Sequence, residues 1–475
     1  MRRIVRNTIF MSLFGIIARG AGLIRYVFLV TFLSNEAFGI LKLATDIGGV
    51  ARAFMDGGVD QLVSRDGARD PNRLPRFFWT ACFLKILLAI LFFAIAPFLL
   101  LRFMSPSSVQ VAMIYSGFTV ALCLTGVARS VFTALERMEY IFYTNMPSRI
   151  IGLAVTFVCL LVGAPLGIVA SGMGLENVLW LILLMVYMVR FVPLARPRFN
   201  LREAGWMLSE SWPMALYGFF TTLYLRLDTL MLKWLLPQGT ALEDIGIYGK
   251  AQYPVEGLSL LLTGYIIAVF PVFSRLQVED RQAFASLFRR STVLLMGITI
   301  PVSIMMGGWA DGWLSLFPNK AEGSVPILGI LGMTLNFSLL NVFIITVFTA
   351  CDRQRWLVLF TCLTVAVSFI SNYIMIPILG NLGAAFASLG SQIFLFAVML
   401  TILWSEVGIT PPLGRWLGLL VSGDLAGLFC NWLLPPGWVL LLPFPYLGSF
   451  FLIAFLLRVI RREDIEWLRR TIHKA

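Results

Sequence analysis

Long apolar stretches follow one another along almost the whole chain and limit the folds that it can adopt. Each is long enough, at roughly 20 residues, to cross about 30 Å of hydrocarbon. About fourteen such spans cover residues 8–32, 36–62, 77–101, 109–134, 148–164, 168–190, 212–236, 245–273, 291–316, 325–350, 356–378, 382–404, 416–434 and 438–458. With 59% hydrophobic residues and a mean hydropathy of +0.86, the sequence predicts an all-α polytopic membrane protein.

Basic residues are distributed unevenly between the two ends of these spans. If the N-terminus is cytoplasmic, about 26 arginines and lysines fall on the cytoplasmic side, and only Arg102, Lys233 and Lys320 lie at the margins of the outer turns. The positive-inside rule then places both termini in the cytoplasm. Since topology explains the formal net charge of +12, no nucleic-acid partner is implied.

Cysteine and histidine usage excludes several classes of site. The six cysteines have no short spacing among them, and His473 near the C-terminus is the only histidine. No disulfide framework and no metal site are predicted. Enzymes that need an intramembrane histidine as base or ligand are disfavoured, and we name no catalytic residue.

A weak internal repeat predicts the domain organisation. The stretch from Glu36 to Arg65 resembles the stretch from Glu243 to Arg275, both in its glycine-containing start and in its Ser-Arg end. Six spans separate the copies, so both halves run in the same direction. We predict two pseudo-symmetric six-helix lobes, residues 1–200 and 201–405, followed by two helices and a basic cytoplasmic tail in 406–475. Chance similarity between apolar segments is the alternative.

Ionisable residues inside the spans carry the functional information, because each costs about 2.5–3.5 kcal/mol at the bilayer centre unless it is paired or hydrated. They concentrate on the first two spans of each half. Span 1 contains Arg19 and Arg25, span 2 contains Lys42, Asp46, Arg52, Asp56 and Asp60, span 7 contains Arg226, Asp228 and Lys233, and span 8 contains Lys250 and Glu256. The other spans carry scattered charges such as Lys85, Arg129 and Glu176. The concentrated charges must face one another or water.

Depth along each hairpin predicts which charges are neighbours. The expected sets are Arg19 with Asp46 and Arg52, Arg25 with Lys42, Asp228 with Tyr248 and Lys250, and Arg226 with Glu256. Arg52 and Asp56 lie one helical turn apart and can pair along their helix. Two interpretations stay open: the pairs only fix the register of the bundle, or surplus bases such as Arg19, Arg25 and Arg129 bind a phosphate.

Three stretches of the sequence resemble motifs of a known protein family. They are Phe38-Gly39-Ile40 through Asp56-Gly57-Gly58 to Ser64-Arg65, then Phe132 to Met138, and then Tyr224-Leu-Arg226-Leu-Asp228 followed by Ile245-Gly246-Ile247-Tyr248. Over roughly residues 1–400 the chain resembles the polysaccharide-biosynthesis branch of the MOP exporter superfamily, the O-antigen and exopolysaccharide repeat-unit flippases. The likeness fades over the last two spans.

The resemblance implies two lobes around a central cavity in the bacterial inner membrane. The implied activity is alternating-access export of an undecaprenyl-diphosphate-linked oligosaccharide from the cytoplasmic to the periplasmic leaflet, with a downstream polymerase or ligase as a candidate partner. Candidate ligands of the diphosphate and sugar are Arg19, Arg25, Asp46, Arg52, Arg129, Arg226, Tyr248 and Lys250. Candidate gating or ion-coupling residues are Asp56, Asp228 and Glu256. No cofactor is expected, and coupling to the membrane potential or to a proton or sodium gradient is open.

Other activities compete with this one. A peptidoglycan lipid-precursor flippase and a cation-coupled multidrug exporter belong to the same superfamily, although the basic surplus argues against cationic drugs. A membrane glycan ligase or glycosyltransferase is disfavoured because no large outer loop is predicted.

Overall fold

The computed structural model describes residues 15, 17, 20–191, 200–314, 323–353, 355–433 and 443–459, and these form helices and short connections without a strand. The helices are α1 Gly20–Phe32, α2 Asn35–Asp56, α3 Val59–Arg69, α4 Leu74–Leu100, α5 Pro106–Ala134, α6 Met138–Leu161, α7 Leu166–Phe191, α8 Leu201–Leu235, α9 Ala241–Glu279, α10 Arg281–Gly308, α11 Ala310–Leu314, α12 Ser324–Ala350, α13 Arg355–Leu379, α14 Asn381–Val407, α15 Leu413–Leu433 and α16 Pro443–Leu456. Arg19 and the basic tail from residue 460 onward lie outside the described residues.

The predicted spans correspond to these helices. Within the described residues, ten helices are long and apolar enough to cross a membrane, and Gly20–Phe32 and Pro445–Leu456 are shorter apolar helices. The two remaining predicted spans are α2 and α8, which are 22 and 35 residues long but carry more charge. The all-α polytopic membrane fold is therefore confirmed.

Capping residues set where several helices begin. The Ser34 hydroxyl accepts from the Ala37 amide at the start of α2. Ser105 precedes Pro106 at the start of α5, and the Asn200 side chain accepts from the first amides of α8. These are the residue types that satisfy the free amides of a first helical turn, and proline fits there because it has no amide to satisfy.

Span 2, predicted as one helix over 36–62, is broken in the structure. It ends as α2 at Asp56 and resumes as α3 at Val59. Gly57 and Gly58 between them have φ values of +56° and +68°, a left-handed conformation that glycine adopts without a steric penalty. By contrast, α2 continues through Gly48-Gly49.

The chain divides into two compact units, residues 1–249 and 250–475. In the first, α3, α4, α5 and α7 enclose an apolar core that contains Phe78, Val131 and Leu184, and α2 packs against α4, α5 and α8. In the second, α10, α12 and α14 pack together around Phe343 and Phe348. The lobe boundaries that we placed at residues 200 and 405 stay a prediction.

Candidate functional site

The two heavily charged helices, α2 and α8, are neighbours in the first unit. Glycine allows close backbone contact near both ends of α2. At the predicted outer end, a Cβ on Gly39 would overlap the Leu242 carbonyl oxygen, and a Cβ on Gly246 would overlap the Asn35 carbonyl oxygen. Just beyond the other end, a Cβ on Gly58 would lie 2.6 Å from the Ser211 carbonyl oxygen of α8. Between these contacts, the Lys42 and Asp46 side chains of α2 are buried in protein.

An ion cluster centred on Asp46 joins α2 to α8. The Lys42 ammonium lies 2.6 Å from Asp46 Oδ2, and Arg226 Nη1 lies 2.8 Å from Asp46 Oδ1. Asp46 and Lys42 are buried, whereas the Arg226 side chain is 27% exposed. The sequence prediction had placed Arg226 closer to Glu256 and had not paired it with Asp46. The Asp46 cluster therefore anchors a guanidinium whose surface stays accessible.

Asp228 lies two residues beyond Arg226 on α8, toward the predicted outer side, and meets Tyr248 of α9. The Tyr248 hydroxyl donates to Asp228 Oδ2 at 2.6 Å, and both side chains are buried. This confirms the depth argument that placed Asp228 level with Tyr248. Lys250 and Glu256 lie further along α9 in the second unit, where Lys250 is buried and Glu256 is half-buried.

A second cluster forms around Glu176 of α7. Arg25 of α1 contacts Glu176 through both terminal nitrogens, with Arg25 Nη1 3.2 Å from Glu176 Oε1. Arg149 of α6 lies 3.5 Å from the same Oε1. Gly152 makes room for the acid, because an added Cβ there would lie 2.6 Å from the Glu176 Cβ. The forked contact is the bidentate geometry in which arginine binds carboxylates most strongly.

A third cluster surrounds Lys85 of α4 beside the α2–α3 break. Lys85 Nζ lies 2.7 Å from Asp56 Oδ1 and 2.6 Å from Asp60 Oδ1, and it also donates to the Cys123 carbonyl at 3.1 Å. The Lys85 side chain is only 1% exposed. Gly126 of α5 admits the Asp60 carboxylate, which a Cβ there would overlap. One ammonium thus connects the two helices on either side of the break.

Arg129 and Arg52 border this Lys85 cluster. The Arg129 guanidinium lies 5.8 Å from the centroid of the Trp180 ring, whose Nε1 donates to Thr144 Oγ1 at 3.2 Å. Arg129 is repelled by Arg52 and attracted by Asp60 and Asp56. Arg52 is exposed and interacts electrostatically with Asp56. The predicted helical pair Arg52–Asp56 is therefore part of a larger group in which Lys85 makes the direct contacts.

Sequence reasoning missed the residues that hold two of these clusters. In the sequence, Lys85 and Glu176 are scattered charges in otherwise apolar spans, and Arg149 is one of the basic residues at the cytoplasmic ends of the spans. The available signal was an acid or a base near the middle of an otherwise apolar helix, which is costly unless it has a partner. Nothing in the spacing indicated which helices would be neighbours.

The three clusters and the charged residues described beside them hold more positive than negative charge. The bases are Arg25, Lys42, Arg52, Lys85, Arg129, Arg149 and Arg226, and the acids are Asp46, Asp56, Asp60, Glu176 and Asp228. Guanidinium groups that remain partly exposed on such a surface suit an anion bearing phosphate oxygens. Chemically, the site is equipped to bind and release an anion at membrane depth.

Comparison with solved structures defines the class of protein. A structure described as "Lipid II flippase MurJ, inward closed conformation" matches with a TM-score of 0.69 at 14% identity, covering 95% of this chain and 98% of that chain. An inward-facing MATE-family multidrug resistance transporter of the MOP superfamily matches with a TM-score of 0.66 at 13% identity, covering 82% and 94%. A MOP superfamily transporter from Pyrococcus furiosus Vc1 matches with a TM-score of 0.53 at 14% identity, and the match covers 86% of this chain and 96% of that chain. The fold is that of the MOP superfamily.

A match to a protein-family model identifies the family within this superfamily. The model described as "Polysaccharide biosynthesis protein" matches residues 4–277, which include every cluster described above. The chain belongs to this family, the polysaccharide-biosynthesis flippases of the MOP superfamily. No curated protein sequence matches the chain.

Proposed function

We propose that the protein moves an undecaprenyl-diphosphate-linked oligosaccharide repeat unit from the cytoplasmic to the periplasmic leaflet of a bacterial inner membrane, by alternating access and without catalysing a reaction. The observation that carries the proposal is the Asp46 cluster, in which a fully buried carboxylate contacts Nη1 of Arg226, whose side chain is 27% exposed. Such a base is fixed in position and still reachable by a ligand.

The physical problem in this transfer is the headgroup. A diphosphate with attached sugars loses its hydration in hydrocarbon and gains nothing in return. Arg25, Arg149 and Arg226 keep part of their side-chain surface accessible, at 12%, 25% and 27%. They supply charge-assisted hydrogen bonds to phosphate oxygens, and the acids behind them keep the guanidinium groups oriented. Tyr248 and Asp228 then supply polar contacts for sugar hydroxyls or for gating.

Ion coupling is a further part of the proposal. Asp56, Asp228 and Glu256 are the candidate gating or coupling residues, and Lys250 of α9 is a further candidate base. A cation gradient or the membrane potential drives the cycle if it changes the relative stability of the two access states.

A peptidoglycan lipid precursor is the second candidate substrate. The match to the MurJ structure, described as a lipid II flippase, covers 95% of this chain, whereas the MATE transporter covers 82%. Both lipid substrates present the same diphosphate to the arginines. The basic surplus argues against a multidrug exporter, since cationic drugs would be repelled by it.

The test is to reconstitute the purified protein into proteoliposomes and to offer three substrates. These are a polyprenyl-diphosphate oligosaccharide, a peptidoglycan lipid precursor and a cationic dye. We expect protein-dependent transfer of the oligosaccharide lipid, reduced by Arg226→Gln and unchanged by Arg102→Gln, which removes an exposed arginine outside the clusters. Transfer of the precursor alone would mean that the peptidoglycan precursor, and not the oligosaccharide lipid, is the substrate. Transport of the dye alone would overturn the proposal.

A further inference from the structure

A second concentration of positive charge lies away from the three clusters, at the predicted cytoplasmic ends of α4 and α8. A cavity of about 410 Å³ opens there, and its lining includes Arg73, Arg76 and Arg202. One acid, Glu203, also lines it. Neither the membrane-depth clusters nor the transport proposal uses this pocket.

The backbone around the pocket is held by local caps. Asp70 Oδ1 accepts from the Asn72 amide at 3.2 Å, and its other oxygen lies 3.1 Å from Arg73 Nε. On the facing helix, Asn200 Oδ1 accepts from the Arg202 and Glu203 amides at 3.0 and 3.4 Å. The N-terminal ends of α4 and α8 therefore both lie beside the cavity. Their partial positive charge adds to that of the three arginines.

One wall of the pocket is aromatic. Phe77 of α4 and Trp206 of α8 stack with ring centroids 5.9 Å apart and an interplanar angle of 25°. Before and after Trp206 along α8, Leu201 and Trp212 are 79% and 59% exposed. Exposed tryptophan and leucine beside arginine are typical of the boundary between lipid tails and headgroups. The pocket therefore faces an environment of amphipathic molecules.

Glu203 distinguishes this pocket from a purely basic surface. Its Oε2 accepts from the Thr80 hydroxyl at 3.3 Å, which fixes the carboxylate within the lining. A carboxylate beside three arginines accepts hydrogen bonds from hydroxyl groups while the arginines bind phosphate oxygens. A headgroup that carries both a phosphate and hydroxyls fits this combination.

We propose that this pocket binds the headgroup of an anionic phospholipid of the cytoplasmic leaflet, with Arg76 and Arg202 on the phosphodiester and Glu203 on headgroup hydroxyls. Basic pockets at this level of a membrane protein are suited to anionic lipid headgroups. Free phosphate offers the same oxygens without the glycerol hydroxyls or the acyl chains that Trp206 and Leu201 would contact.

The experiment measures lipid binding by the purified full-length protein with native mass spectrometry. Phosphatidylglycerol, phosphatidylethanolamine and inorganic phosphate are titrated separately. We expect phosphatidylglycerol to bind most tightly and inorganic phosphate to compete poorly. The variant Arg76→Gln with Arg202→Gln should weaken phosphatidylglycerol binding about 30-fold, which corresponds to about 1 kcal/mol for each arginine.

The matched control is Arg69→Gln with Arg275→Gln, because these side chains are 75% and 66% exposed and do not line the pocket. This control removes the same charge and should leave binding within about twofold. If the double variant does not fold, Arg76→Gln alone should weaken binding about fivefold. Equal binding by pocket and control variants, or equal competition by inorganic phosphate, would overturn the proposal.

Discussion

Arg226 of α8 donates to the carboxylate of Asp46 of α2 at 2.8 Å, although 180 residues separate them in sequence. Asp46 is buried, and its carboxylate also lies 2.6 Å from the Lys42 ammonium. One carboxylate therefore forms ion pairs with two basic side chains. The contact ties the second helix of one predicted half to the first helix of the other. Its loss should therefore affect both stability and transport.

Removing the acid should cost more than removing the partly exposed arginine. We expect Asp46→Asn to lower the free energy of unfolding by about 3–5 kcal/mol, because it leaves a buried base without its counter-charge. Arg226→Gln should lower it by about 1–3 kcal/mol, the scale of one charged hydrogen bond. Unfolding of the purified variants by SDS titration measures both values. Equal losses would contradict the distinction between a buried anchor and an accessible base.

Lys85 should be essential to the packing beside the α2–α3 break. Lys85→Met leaves Asp56 and Asp60 close together without the ammonium, and we expect about 3–5 kcal/mol of destabilisation. Adding Asp60→Asn should restore part of that loss, with a coupling energy of about 0.5–3 kcal/mol. The same SDS titration gives the double-mutant cycle. Strict additivity of the two substitutions would show that the contacts do not act together.

The two glycines of the break should respond differently to alanine. Both have positive φ, so each substitution should cost about 1–2 kcal/mol from strain alone. A Cβ on Gly57 meets the flexible Leu88 side chain at 3.3 Å, whereas a Cβ on Gly58 meets backbone atoms of Ser211 and Ala215 at 2.6 and 2.7 Å. Gly58→Ala should therefore be clearly less stable than Gly57→Ala in thermal unfolding. The reverse order would exclude close contact between Gly58 and α8.

Alanine substitutions of the glycines where the predicted outer end of α2 contacts α9 should move these two helix ends apart. Gly39→Ala and Gly246→Ala each place a methyl group on a backbone carbonyl of the facing segment. We expect faster labelling of Asn35→Cys by a membrane-impermeant thiol reagent in either background. Gly218→Ala on α8 is the matched control, since an added Cβ there meets nothing within 4 Å. Unchanged labelling in all three variants would mean that this contact does not control access.

The sequence predicted the helices well because hydropathy alone determines which segments lipid can surround. It also predicted that the charges concentrated on the first two spans of each half would face one another or water. The level position of Asp228 and Tyr248 was predictable because consecutive spans form hairpins. It did not predict Glu176 as the partner of Arg25, because 151 residues separate them and hairpin geometry says nothing about α1 and α7. The α2–α3 break was missed in part, since Gly48-Gly49 and Gly57-Gly58 look alike in sequence. A Cβ on Gly58 would overlap backbone atoms of α8, whereas a Cβ on Gly49 would lie at an ordinary contact distance of 3.6 Å from the Arg226 side chain of α8.

The proposed route past the arginines is tested by the amount of lipid-linked oligosaccharide that reaches the outer leaflet in cells expressing each variant. Arg25→Ala removes the bidentate contact to Glu176, and Asp228→Asn removes the charge that Tyr248 contacts. With membrane levels equal to wild type, we expect both variants to lose most of their transport while Arg102→Ala keeps it. Unaltered transport in both variants would contradict a role for these clusters in moving the headgroup.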